Sequence, residues 1–416
     1  MPDLGWLESG MREAALQTGC RLIEELLNKV AQCEGGQGRR KGERRYWRTK
    51  WVKTLLGELQ LQRSCLHDRQ GSRVPMDEAL GIEGTGYSPG VLRLSCRAGA
   101  RAAFEEASQD LQVYAGVQVS GREIQRIVNR MGPQIGAWMD AREVEEVRGP
   151  IPVMYVSYDG TGVPMAAREL RGRKGKNGEA KTREVKVGCV FTQQTVDEKG
   201  HPIRDEHSTT YVASFEAAET FVARVRREAI RRRMSQATQV VVIGDGAAWI
   251  WTQAAVCFPG CVEILDIYHA YEHLTGLFRL LFPKAETDDR RLKRWRRRME
   301  KGKIAGILCE AQACLPRSGH RRTEARKEIE YFRTHQQRMQ YAKFQQQGLF
   351  IGSGVVEAGC KSLIGARLKQ SGMFWTVTGA QHVLNTRCCL SSHAFDAFWD
   401  HRQPAFLTLQ AYDHAA

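Results

Sequence analysis

The sequence predicts a mixed α/β protein: a five-stranded sheet with flanking helices, an all-helical insertion, and a mainly helical region ahead of the sheet. Three observations carry this. Strand-length apolar runs follow one another after Pro152: residues 153–158, 183–193, 209–215, 240–243 and 262–265. Between the third and fourth lies a helical pattern, residues 216–234, with Phe221, Val222, Val225 and Ala229 on one face and Arg224, Arg227 and Arg231 on another. Residues 283–347 are charged and helix-favouring, without a convincing strand. Three early strands, a helix, a strand, a helix and a strand is the order of an RNase H-like core.

In chain order, residues 1–34 place Leu16, Cys20, Ile23, Leu27 and Val30 at helical spacing, as a packing helix would. Residues 35–45 are rich in Gly, Lys and Arg and read as a basic linker. Residues 53–63 alternate, Leu55, Leu59 and Leu61 against Glu58, Gln60 and Gln62, which suggests a β-hairpin. Residues 103–114 form a helical pattern on Phe104, Ala107 and Leu111, broken by a Gly-containing turn. Ser120 can then cap a second helix over 121–131, with Ile124, Ile127 and Val128 inward. This is the pattern of a helix-turn-helix, and also of an ordinary helical hairpin. In the first case Arg122, Gln125, Arg126 and Asn129 face phosphates and base edges.

The four-residue run Val240–Ile243 is apolar throughout, as in a strand buried on both faces. In the insertion, eight of the nine residues from Arg290 to Arg298 are Arg, Lys or Trp. Such a run is either a solvated helix face or a surface that tracks phosphates, with Arg294, Arg296 and Arg297 as its contacts. A helix resumes after Gly352-Ser353-Gly354 and carries Glu357 and Lys361. The expected segments are 1–102 (helix, basic linker, hairpin), 103–148 (helix-turn-helix-like), 149–282 (first part of the core), 283–350 (helical insertion) and 351–416 (last core helix and tail).

Composition narrows the function classes. The 416 residues carry 62 Lys and Arg against 47 Asp and Glu, a formal charge of +15, which favours a polyanionic partner. Double-stranded DNA is the first candidate, since each phosphate contact releases a condensed counterion. No apolar run is long enough for a bilayer, and no signal-peptide pattern opens the chain, so a cytoplasmic protein without membrane contact is expected. The irregularly spaced cysteines read as core thiols.

Three carboxylates stand at informative places. Asp159 closes the first core strand, Asp245 closes the fourth, and Glu357 lies on the first turn of the returning helix. Side chains at strand ends project into an open crevice. A strand-borne pair and one helix-borne carboxylate can hold two Mg²⁺ or Mn²⁺ ions, because hard cations take oxygen ligands. Two such ions about 4 Å apart stabilise the attacking and leaving oxygens of phosphodiester chemistry. Each Asp-Gly pair, Asp159-Gly160 and Asp245-Gly246, is also a common turn signal.

Several segments together resemble the ISKra-four family of bacterial insertion-sequence transposases. They are Asp159-Gly160-Thr161-Gly162-Val163-Pro164, Lys181-Thr182-Arg183-Glu184-Val185-Lys186, Gly244-Asp245-Gly246-Ala247-Ala248-Trp249-Ile250, Asp266-Ile267-Tyr268-His269-Ala270 and Gly352-Ser353-Gly354-Val355-Val356-Glu357. The resemblance runs from about Lys50 to Cys389. It implies an RNase H-like catalytic domain, a helical insertion before the last acid, an N-terminal DNA-binding region, and Asp159, Asp245 and Glu357 as a DDE triad. The implied activity is metal-dependent cleavage and strand transfer at element ends, by a protein that is a homo-oligomer when bound to DNA.

The resemblance also singles out Asp266 and His269, which match an Asp/Cys-x-x-His signature shared with Mutator-like transposases. Either His269 orients DNA or assists proton transfer, or the pair is a structural hydrogen bond. Trp249 and Trp251 are candidates for base stacking or for the core. Lys361, one turn beyond Glu357, is placed to hold that carboxylate or a phosphate. One departure stands out: Cys65-Leu66-His67-Asp68 precedes Pro75-Met76-Asp77-Glu78 without a second cysteine, against a structural zinc. The rival readings are an RNase H-like nuclease or resolvase, and a catalytically lapsed DNA-binding protein.

Overall fold

A computed structural model describes residues 3–33, 43–69, 71–143, 149–175, 178–285 and 289–402. The expected basic linker lies outside the described residues except at its last three positions, as do the tail after Arg402 and positions 144–148. The chain forms two compact units, Met1–Pro133 with Ala394–Ala416, and Gln134–His393.

In the first unit, helix α1 (Leu4–Cys33) packs along a three-stranded antiparallel sheet of β1 (Arg44–Lys53), β2 (Glu58–Asp68) and β3 (Gly71–Arg73), ordered β1-β2-β3. The expected hairpin is present but longer, because the basic residues from Arg44 onward pair with β2 as a full strand. Asn28 of α1 donates to the Gln60 carbonyl (3.0 Å) and accepts from the Gln62 N–H (2.7 Å). Glu24 accepts from the Gln60 N–H (2.7 Å). These side chains satisfy backbone groups of β2 that no strand pairs. The helix is therefore rotated from its expected stripe: Leu16, Cys20 and Leu27 are half-buried, whereas Ile23 and Val30 are exposed. Val52, Leu59, Leu61 and Ile82 form the small core beneath.

Helices α2 (Pro89–Arg101), α3 (Phe104–Asp110) and α4 (Gly121–Ala141) follow. Gly116, at φ 70°, closes α3 and its wide final turn, Leu111–Ala115. The helix α4 runs ten residues past its expected end and contains Pro133. Pro133 and Gln134 face solvent while Ile135 and Gly136 are buried. The terminal helix Phe395–Arg402 also belongs to this unit; its Phe395, Phe398 and Trp399 are buried.

The second unit is built on β4 (Ile151–Pro164), β5 (Thr182–Gln193), β6 (Thr210–Ser214), β7 (Ala237–Gly244) and β8 (Val262–Leu265). Their order in the sheet is β6-β5-β4-β7-β8. β5 runs antiparallel to β4 and β6, while β7 runs parallel to β4 and β8. Helix α5 (Ala218–Arg231) joins β6 to β7, and α6 (Ala248–Cys257) joins β7 to β8. Gly188 of β5 lets α5 approach closely: a Cβ there would lie 2.6 Å from Val225. Tyr155 stacks on Phe191 at 4.8 Å in the sheet core.

Helix α7 (Ile267–Leu281) leaves β8 and leads into α8 (Arg290–Glu300), α9 (Ile304–Ala313), α10 (His320–His335) and α11 (Tyr341–Gln346). The described residues of the expected insertion contain no strand. Then come α12 (Gly354–Gly359), which continues through a wide π turn at Cys360–Gly365, and α13 (Val377–Ser391). One expectation needs correcting: β4 does not end at Asp159. It continues to Pro164 because β5 stays paired as far as Pro164↔Thr182, so Asp159-Gly160 is strand, not turn.

Candidate active site

Strands β4 and β7 are parallel, and their register runs to Ile243↔Ser157. Carried two residues further, it sets Asp245 level with Asp159, on strands that lie about 4.8 Å apart. β7 stops at Gly244 while β4 continues, so the sheet opens at this edge.

Asp159 is half-buried. Its Oδ1 accepts from the N–H of Gly160 (2.6 Å), and its Oδ2 accepts from the Cys360 thiol (3.6 Å). Burial holds its carboxyl above the ordinary range, and the charge of Asp245 pushes the same way. Asp245 sits in the turn into α6. Its Oδ1 accepts from the Ala247 N–H (2.9 Å), and its side chain is 31% exposed. Gly246, at φ 96°, makes that turn. The Tyr331 hydroxyl of α10 donates to the Asp245 carbonyl (3.2 Å), and a Cβ on Gly246 would run into that hydroxyl. His269 brings Nε2 to 3.9 Å from Asp245 Oδ2 and Nδ1 to 3.8 Å from Glu272.

Glu357 stands apart. Its side chain is 59% exposed and pairs with Lys361 at 2.9 Å, one turn on. Its helix nonetheless lies against Asp159, since Cys360, three residues later, is the residue that meets that carboxylate. Among the described residues, no three His, Cys, Asp or Glu side chains gather closely enough to hold a metal ion. The charges of Asp245 and His269 both act on Asp159, whereas Glu357 is exposed and paired with Lys361.

Asp266 serves the backbone. It is buried, its Oδ1 caps α7 by accepting from the His269 N–H (2.8 Å), and its Oδ2 accepts from the Ser353 N–H. It thereby ties the start of α7 to the start of α12.

A family model described as an uncharacterised protein family, UPF0236, matches residues 3–394. The chain belongs to the UPF0236 family. A relative within UPF0236, the "UPF0236 protein in vanSb 3'region" of Streptococcus gallolyticus, is 24% identical over 378 residues, covering 85% of this chain and 75% of the relative. A solved structure, the Drosophila P element transposase strand transfer complex, is similar over 79% of this chain and 85% of that one. The identity is 9% and the TM-score 0.28, too low to bear on the fold.

The residues expected to touch DNA divide in this UPF0236 member. On α4, Ile124, Ile127 and Val128 are buried, and Arg122, Gln125 and Arg126 are exposed. Arg126 pairs with Glu123, Asn129 is half-buried, and Arg130 donates to the carbonyls of Glu83 and Gly84 (2.5 Å each). On α8, Leu292, Trp295 and Met299 are buried. Arg294 and Arg298 pair with Glu310, and Arg296 donates to Thr275 (3.1 Å) and lies over Tyr271. Arg297 is exposed. Much of that basic run thus holds the insertion together. Trp251 is buried under Arg338 (4.4 Å), and Trp249 is half-buried beside Tyr158 (5.5 Å).

Three residues at the site carry no signal in the sequence. Tyr331 stacks on His273 at 3.8 Å, and His273 bonds Glu328 at 2.7 Å. His335 has a backbone hydrogen bond to Gly246; burial and the Arg338 charge lower its pKa to about 4. Cys360 is the third; burial and the Asp159 charge raise its pKa and keep the thiol protonated.

Proposed function

We propose that this protein is a metal-dependent DNA-cutting and strand-transferring enzyme, a DDE-type transposase on an RNase H-like sheet. The observation that carries the reading is that Asp159, on β4, and Asp245, just past the end of the parallel neighbour β7, act on each other, with the continuation of the Glu357 helix meeting Asp159 through Cys360. The sheet order supports the fold assignment: three antiparallel strands in succession, then two parallel ones added on the other side of the first. The charge of +15 supports a DNA partner. No described helix is long and apolar enough to cross a membrane.

The donor set suits a hard divalent cation. The charge of Asp245 acts on Asp159, and so does that of the neighbouring His269. Like charges so placed disfavour joint ionisation, and a cation relieves that cost. Asp159 and Asp245 would hold Mg²⁺ or Mn²⁺, and Glu357 would complete the set after exchanging Lys361 for the metal. Bound there, the ion supplies Lewis-acid chemistry to a phosphodiester.

The protein's own groups do the rest. Tyr331, Gly246 and Ala247 fix the Asp245 turn. His269, half-buried beside Asp245, is placed to take or return a proton. Lys361, once released, faces DNA phosphate. Arg122, Gln125 and Arg126 of α4 meet duplex DNA at element ends, and Arg297 adds a phosphate contact. In this reading a cytoplasmic homo-oligomer assembles on DNA. Incubation of the purified protein with Mg²⁺ and DNA bearing the element ends tests it: wild type cleaves and joins, and Asp159→Asn does neither while still binding DNA. Cleavage at the wild-type rate by Asp159→Asn overturns the reading.

A further inference from the structure

Beyond Ser157, β4 is paired with β5 alone, as far as Pro164, and the two strands run on past the end of β7 as a ribbon. The connection that joins them, residues 166–181, is rich in cations. Arg168, Arg171, Arg173, Lys174, Lys176 and Lys181 stand against Glu169 and Glu179. Backbone hydrogen bonds give this connection a fixed course. The Ala166 N–H donates to the Trp375 carbonyl (2.8 Å), the Arg173 N–H to that of Leu170 (3.0 Å), and the Ala180 N–H to that of Arg173 (3.2 Å). Lys174 pairs with Glu179, and Gly175 with Gly178, in a short antiparallel ladder.

These cations differ from those of α8, where Glu310 engages Arg294 and Arg298 and Thr275 engages Arg296. Arg168, Arg171, Arg173 and Lys181 are exposed, and none of them is in an ion pair among the described residues. Of the acids, Glu169 pairs with Arg183 (3.9 Å), and Glu179 stands opposite Lys174 in the ladder. Like charges crowded on a narrow ribbon repel one another and attract a polyanion. Residues 166–181 contain no aromatic side chain, so the ribbon offers unpaired bases nothing to stack on and suits the phosphate backbone of a duplex.

The ribbon grows out of the strand that carries Asp159. Asp159 and Pro164 are five residues apart on β4, about 17 Å at strand spacing. That is the length of roughly five base pairs of duplex. Alternation puts Thr161 on the same face of β4 as Asp159, and the exposed Lys369 donates to the Thr161 hydroxyl (2.7 Å). We propose that residues 166–181 are an arm that binds duplex DNA, with Arg168, Arg171, Arg173 and Lys181 contacting its phosphates and Lys369 adding a contact nearer the acidic site. The proposal rests on DNA being the substrate, but not on the cleavage chemistry.

Fluorescence anisotropy of the full-length protein with a labelled mixed-sequence duplex of about 30 base pairs, in EDTA and over a range of salt, tests it. Arg171→Gln, Arg173→Gln and Lys181→Gln combined should weaken binding roughly tenfold or more at about 0.1 M salt, and lower the log–log salt slope by about 0.9 per lost contact. Lys369→Gln should lower the slope by about one contact. Arg171→Lys, Arg173→Lys and Lys181→Arg combined should keep the wild-type slope. Lys301→Gln, Arg321→Gln and Arg326→Gln combined remove the same charge from exposed positions of the insertion, and should lower the slope less than half as much. Melting temperatures should match wild type throughout, since these side chains are on the surface. The proposal is overturned if wild type does not bind the duplex, if neutralising the arm leaves the slope unchanged, or if the arm and control variants lose affinity equally. It is also overturned if the arm variant loses binding to phosphatidylserine vesicles and keeps the duplex. The assay involves no cleavage, so an Asp159→Asn protein that cuts at full rate would sink the catalytic reading and leave this result standing.

Discussion

Asp245 and Asp266 occupy matching places on neighbouring parallel strands, each one residue beyond the strand end, yet they are put to different uses. Asp266 is 4% exposed, and backbone N–H groups of His269 and Ser353 occupy both its oxygens. Asp245 is a third exposed; one oxygen is held by the Ala247 N–H, and the other looks across the cleft toward His269. A carboxylate whose lone pairs are spent on backbone donors is a structural part. A carboxylate held by one oxygen, with a second acid level beside it, is placed to take a ligand. Position at a strand end does not separate the two cases, but the count of backbone donors does.

The largest expected effect is on chemistry. Asp245→Asn and Asp159→Asn should reduce strand cleavage to background in a Mg²⁺-supported assay, and Glu357→Gln should do the same. Asp266→Asn, which keeps one acceptor oxygen, should still cleave. A dead Asp266→Asn protein with an unchanged unfolding curve would erase the distinction between the two aspartates.

Stability should show the reverse order. Asp266→Ala removes a helix cap and leaves the Ser353 N–H without its acceptor, which together cost about 2–4 kcal/mol. Asp245→Asn keeps an oxygen for the Ala247 N–H and removes one of two facing charges, so its unfolding free energy should stay within about 1 kcal/mol of wild type. Guanidinium denaturation with EDTA present measures both.

Metal binding sharpens the comparison further. Mn²⁺ or Mg²⁺ should raise the melting temperature of wild type and of Asp266→Asn by a few degrees, since a ligand that binds only the folded state stabilises it. Asp159→Asn and Asp245→Asn should lose that shift. Equal shifts in all four proteins would mean the ion binds elsewhere.

Much of this arrangement was legible in the sequence because it depends on local pattern. The apolar runs ending at Ile243 and Leu265 are buried strands whatever surrounds them, and the two strand-end aspartates follow directly. The end of β4 was not legible, since it is set by pairing with β5, which no run of residues announces. Nor was the division of labour between Asp245 and Asp266. It depends on Ser353, 87 residues away, whose N–H takes the second oxygen of Asp266. The basic run on α8 could be read as a phosphate track or a solvated face because sequence shows charge but not partners; Glu310 engages Arg294 and Arg298, and Thr275 engages Arg296. Tyr331 and His335 reach the site from the insertion and left no mark near Asp245.

That last contact gives the smallest expected effect, one that again separates the two aspartates. The Asp245 turn is anchored from outside by Tyr331 and His335 of α10, whereas Asp266 is anchored by its own side chain. His335 is buried, and burial together with the Arg338 charge holds its pKa at about 4, below the ordinary 6.5. The unfolded chain therefore takes up this proton before the folded one does as pH falls. Stability due to the neutral imidazole is present above about pH 6.5, is lost progressively toward pH 4, and adds no further slope below that. His335→Gln should flatten the fall in unfolding free energy across that window without changing its value near pH 8 by as much as Asp266→Ala does. Amide hydrogen exchange gives the local readout. Between pH 6.5 and 4, after correction for intrinsic exchange, protection of the Ala247 N–H should weaken more than that of the His269 N–H, because only the former depends on the α10 anchor. Equal weakening at both amides, or a slope in His335→Gln matching wild type, would show that the insertion does not hold the Asp245 turn.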